Sequence, residues 1–100
     1  MKAIRWHGRK DVRLDEIAEP AISSVDEVLL RVLFCGICGT DVEEFMRGPI
    51  CVPVGLPHPL TGRVAPLTLG HEFCGIVELV GDAVDGFQPG DLVAVEGNIY

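Results

Sequence analysis

The stretch EVLLRVLFCGICGTD, Glu27 to Asp41, changes period midway, and that change decides how the chain folds. From Glu27 to Cys35, Val28, Leu30, Val32 and Phe34 fall on one face by the two-residue repeat, while Leu29, Arg31 and Leu33 fall on the other. This is the clearest strand of the chain, and one of its faces is expected in the core. After Cys38 the pattern turns helical. Thr40 or Asp41 can cap a helix by accepting hydrogen bonds from its first free N–H groups, and Val42 to Met46 would form its body. Gly48-Pro49 stops it, so the helix is short.

Outward from that centre the chain reads as short strands and turns. Lys2 to Trp6 and Val12 to Ile17 are two strands joined at Gly8-Arg9-Lys10, and Glu19-Pro20 ends the second. Prolines at 49, 53, 57, 59 and 66 cannot donate ladder hydrogen bonds, so the segment up to Leu67 is a long loop, expected beside the active site. His71 to Val80 is a second long strand, and Asp91 to Val95 follows the turn residues Gly81-Asp82, Asp85-Gly86 and Pro89-Gly90. Many short strands with little helix predict a mainly β fold, a partly open β-barrel with one or two short helices. Trp6 and Phe34 are expected in the core because of their large apolar area.

One hundred residues make one domain. A net charge of −7 argues against nucleic-acid or anionic-membrane partners, which need clustered Lys and Arg. The opening Met1-Lys2-Ala3-Ile4-Arg5-Trp6-His7 lacks a signal-peptide core, and no apolar run approaches the roughly 18 residues that span a bilayer, so a cytoplasmic protein is expected. In that reducing compartment the four cysteines favour metal binding over disulfides.

Two short motifs carry the chemistry. Cys35-Gly36-Ile37-Cys38 and, further on, Gly70-His71-Glu72 together offer a thiolate, an imidazole and a carboxylate. Three such protein groups are the ligand set of a catalytic zinc, which keeps one position open for water or substrate. The CxxC spacing also fits a dithiol redox motif, but that reading does not account for Gly39-Thr40-Asp41 or for Gly70-His71-Glu72. His7 beside a turn is expected at the surface or as a hydrogen-bonding tether, and His58 between two prolines as a loop residue. Cys35, Cys51 and Cys74 are read as small structural residues, Cys35 buried at its strand end.

The runs CGICGTD, LGHEFCGIVELVG and FQPGDLVAVE resemble the amino-terminal half of a zinc-dependent medium-chain alcohol dehydrogenase. The opening MKAIRWHGRKDVRLDEIAEP and the insert GPICVPVGLPHPLTG are similar to the polyol branch, near 2,3-butanediol and sorbitol dehydrogenases. The likeness runs over nearly all of the chain. It implies that residues 1–100 form a GroES-like catalytic domain, the first part of a longer dehydrogenase whose dinucleotide-binding half, with its glycine-rich GxGxxG turn, is absent from these residues.

The same resemblance assigns roles. Cys38, rather than Cys35, and His71 would hold the zinc. Glu72 would be a direct ligand in the polyol branch or sit behind the metal in other members, and a further ligand or water-holding carboxylate would come from later sequence, so the site in these residues is incomplete. Thr40 would hydrogen-bond the alcohol oxygen and pass its proton outward, and Asp41 would accept the other ring N–H of His71. Where many members carry a proton-relay histidine this chain has Glu43, which leaves the relay open to Glu43 or water, although a glutamate on a short helix is more often a solvated face. The implied cofactors are zinc and NAD or NADP. The implied partners are a small alcohol, polyol or ketone, with the longer enzyme a homodimer or homotetramer and these residues alone inactive. In many members a four-cysteine structural zinc lobe begins about where Asn98-Ile99-Tyr100 stand. The alternative from another class is a non-catalytic GroES-like β-barrel that serves binding or assembly.

Overall fold

The computed structural model describes residues 1–97; Asn98 to Tyr100, and with them the expected start of a four-cysteine lobe, lie outside the described residues. The chain forms two compact units. One joins Met1–Ala18 to Ile37–Gly70, and the other joins Glu19–Gly36 to the residues from His71 onward. Each sheet is open and antiparallel, and one short helix is present among the described residues, so the mainly β expectation holds.

In the first unit β1 (Lys2–Gly8) pairs with β2 (Asp11–Glu16), with Ile4 opposite Leu14 and Trp6 opposite Val12. The hairpin turn uses Lys10 at a positive φ of 57°. The proline-rich stretch expected to be all loop ends in two strand residues, β4 (Leu67–Thr68), which pair with the other edge of β1. They can do so because Pro66 precedes them and both retain a backbone N–H. Ala3, Trp6 and Val52 are the buried apolar residues here, with Trp6 only 2% exposed.

The helix α1 (Gly39–Arg47) starts earlier than the sequence predicts. Its N-cap is Cys38, not Thr40 or Asp41. Asp41 sits at the third helical position, where its Oδ2 accepts the Cys38 N–H at 2.9 Å, so the carboxylate caps from inside the helix. Gly48 ends the helix as predicted, and its N–H donates to the Glu44 carbonyl at 2.9 Å. A Cβ at Gly48 would lie 2.3 Å from that carbonyl oxygen and 3.1 Å from the Trp6 ring, so only glycine fits.

The second unit is the sheet β3 (Val28–Gly36), β5 (Glu72–Val80) and β6 (Leu92–Glu96), with β5 in the middle. Val77 on β5 is 1% exposed. The expectation that one whole face of β3 is core does not hold. Val28, Leu29 and Leu30 are half-buried, but Val32, Phe34 and Cys35 are exposed, Phe34 to 75%. The period of a strand fixes which residues share a face; it does not supply a layer to cover that face, and β3 is an edge strand. Cys51 is also exposed rather than buried, and Cys74 is half-buried. No helix of the described residues is long and apolar enough to cross a membrane.

Candidate metal centre

The second unit places two of the candidate ligands together. His71 immediately precedes β5, and Glu72 is its first residue. Their donor atoms, an imidazole nitrogen and a carboxylate oxygen, lie within 4.8 Å of each other, with His71 half-buried and Glu72 exposed. Across the sheet Glu72 is flanked by Gly36 on β3 and Glu96 on β6. Two glycines make room for the pair. A Cβ at Gly36 would come within 3.1 Å of Glu72 Oε2, and one at Gly97 would lie 2.8 Å from the His71 carbonyl oxygen.

In the first unit Cys38 is half-buried at the N-terminus of α1, with extended backbone at φ −94° and ψ 160°. Its N–H is held by Asp41, and its carbonyl accepts the N–H of Asp41 at 3.1 Å and of Val42 at 3.4 Å. A helix N-terminus carries partial positive charge, which favours an anionic sulfur there. Thr40 is exposed in the first turn of the same helix. Glu43 is exposed and lies 3.6 Å from Arg47 one turn on, the solvated face the sequence predicts.

The remaining histidines are tied to their own neighbourhoods. His7 Nε2 lies 2.6 Å from Asp15 Oδ2, a tether between β1 and β2. His58 is a loop residue whose Nδ1 accepts the N–H groups of Leu60 and Thr61.

One residue with a defined task is not among those the sequence motifs single out. Glu44, 4% exposed, accepts the N–H of Ile50 on Oε1 at 2.8 Å, of Val52 on Oε1 at 3.2 Å and of Cys51 on Oε2 at 2.9 Å. Its main-chain oxygen accepts the Trp6 indole N–H at 3.0 Å. Burial pushes this carboxyl up, but the three backbone N–H groups outweigh it and hold the pKa below the ordinary glutamate value. The available signal was the proline-rich stretch itself, whose backbone N–H groups need acceptors that no ladder supplies.

A family model described as the alcohol dehydrogenase GroES-like domain matches residues 24–99. The chain belongs to this family. The GroES-like chain is 50% identical over 96 residues to (R,R)-butanediol dehydrogenase of Bacillus subtilis, an alignment covering 96% of this chain and 28% of that protein. It superposes on the crystal structure of 2R,3R-butanediol dehydrogenase from Bacillus subtilis with a TM-score of 0.89 and 49% identity, covering 95% of this chain and 27% of that one. Zinc dependent alcohol dehydrogenase 2 from Streptococcus pneumonia is similar at a TM-score of 0.75 and 29% identity, over 96% of this chain and 24% of that one. The GroES-like chain thus spans little more than a quarter of the length of the relatives it matches.

Proposed function

We propose that residues 1–100 are the zinc-binding catalytic domain of a dehydrogenase that interconverts a secondary alcohol, in particular a diol or polyol, and its ketone with NAD or NADP. The observation that carries this reading is the pairing of Gly36 with Glu72 in the β3–β5 ladder. Cys38 follows Gly36 by two residues, so the covalent chain alone keeps its Cα within about 7 Å of Gly36. Glu72 is Gly36's strand partner and His71 is next to Glu72, and this nearness along the chain and the ladder supports reading the three as one donor set.

Cys38, His71 and Glu72 fit zinc by donor chemistry: one sulfur, one nitrogen and one oxygen, a set that leaves a coordination position open. Bound there, zinc supplies the Lewis acidity that makes an alcohol proton easier to lose. Thr40, exposed in the first turn, accepts that proton at Oγ1 while its own passes to water. Glu43 pairs with Arg47 on the solvated face. Asp41 holds the Cys38 backbone through Oδ2, and its carboxylate would also orient the His71 ring. The dinucleotide that accepts hydride is held by sequence outside these residues, since no glycine-rich phosphate turn occurs in them.

The substrate class rests on the names of the butanediol dehydrogenases that the chain resembles. The longer enzyme is proposed to be cytoplasmic and a homodimer or homotetramer. Those names also weigh against a non-catalytic binding or assembly barrel. Cobalt(II) titration tests the ligand set. Thiolate-to-cobalt absorption is expected in the wild-type chain and in Cys35→Ala and absent in Cys38→Ala; full absorption in Cys38→Ala refutes the assignment. With a diol and NAD, these residues alone should give no turnover, and robust oxidation would overturn that expectation.

A further inference from the structure

Glu44 is the one fully buried residue of helix α1, and Phe45 beside it is half-buried. At nine residues it is also shorter than the roughly 12–15 that a helix needs to persist on its own. A set of polar contacts ties its C-terminal half to the first unit. The Glu44 carbonyl takes the Trp6 indole N–H, the Phe45 carbonyl takes the Lys10 N–H at 2.7 Å, and Arg9 Nε reaches the Gly48 carbonyl at 3.0 Å. The Glu44 carboxylate then closes on Ile50, Cys51 and Val52. Gly39, Thr40, Val42 and Glu43, in the half that follows Cys38, are exposed.

We propose that Glu44 is a positioning residue for the metal centre: by pinning the C-terminal half of α1 to the 50–52 backbone, its carboxylate sets the rotation and axial register at which the helix presents Cys38 and Thr40. Six residues separate Cys38 from Glu44, about 9 Å along the axis, and a helical segment transmits a rotation at one end to the other. The carboxylate form is required. All three partners are N–H donors, so a glutamine amide would turn its NH2 toward at least one of them.

The inference rests on the zinc reading above, and the experiment separates the two. Zinc affinity is measured by competition titration for the wild-type chain, Glu44→Gln and Ile17→Ala. Ile17 is half-buried beyond β2, at the end of the β1–β2 hairpin opposite the turn that touches α1. Amide shifts of Thr40 to Glu43 are recorded on the metal-free proteins. Glu44→Gln should move those shifts and weaken zinc about tenfold or more, the scale seen for residues that orient metal ligands. Ile17→Ala should lose thermal stability while keeping zinc affinity within about twofold, the behaviour of a site uncoupled from the metal. Unmoved shifts in Glu44→Gln, or equal zinc loss in Ile17→Ala, would overturn the proposal. If the wild-type chain binds no zinc, the metal reading fails and the shifts alone decide: moved, the pin stands; unmoved, it falls.

Discussion

Gly36 and Glu72 face each other across the β3–β5 ladder so closely that a Cβ on Gly36 would sit 3.1 Å from Glu72 Oε2. The nearest atom is the far end of a flexible side chain, so Gly36→Ala should leave the fold intact while displacing the carboxylate. Thermal unfolding should change little, and zinc affinity should fall about tenfold, as for other displaced ligand groups. Wild-type affinity in this variant would separate Glu72 from the metal.

Trp6 donates its buried indole N–H to the Glu44 carbonyl at 3.0 Å. Trp6→Phe keeps an aromatic ring but removes the donor, and the carbonyl retains the Gly48 N–H. The cost should be about 1–2 kcal/mol, read from urea unfolding, the range for one lost buried hydrogen bond plus some lost packing.

The Glu44 carboxyl titrates below the ordinary glutamate value. A depressed folded-state pKa means that the unfolded chain binds the proton more tightly. The stabilisation is therefore fully present above the ordinary glutamate pKa and is lost as the pH falls through the lower folded-state value. Amide exchange at Ile50, Cys51 and Val52 in acid, corrected for intrinsic pH dependence, should rise in wild type and be already raised and flat in Glu44→Gln. Parallel curves would contradict this.

Asp41 caps α1 from its third position by accepting the Cys38 N–H. Asp41→Ala should cost about 1 kcal/mol in urea unfolding, the usual value of a lost helix cap. Asp41→Asn keeps an acceptor and should recover most of that loss. Equal losses in the two variants would place the effect in the charge rather than in the cap.

Much of this was legible in the sequence. The alternation from Val28 to Phe34 and the run from His71 to Val80 gave the two long strands, and Gly48-Pro49 gave the helix end. Cys38, His71 and Glu72 stand out in the sequence as a candidate donor set because their types and order have few other uses. Glu44 does not, because a glutamate on a short amphipathic helix ordinarily faces water, and only the folded chain brings three backbone N–H groups to it. Phe34, Cys35 and Cys51 were misplaced for a related reason. Apolarity records a tendency to be covered, and at these positions no described segment covers them.

The central claim is that a metal is held by Cys38, His71 and Glu72. Elemental analysis of zinc per chain, under reducing conditions, for wild type, Cys38→Ala and Cys51→Ala tests it most directly. The account predicts about one zinc in the wild-type chain and in Cys51→Ala, whose substituted thiol is exposed and lies outside the ligand set, and none in Cys38→Ala. Zinc retained in Cys38→Ala, or a folded wild-type chain that takes up none, would contradict it.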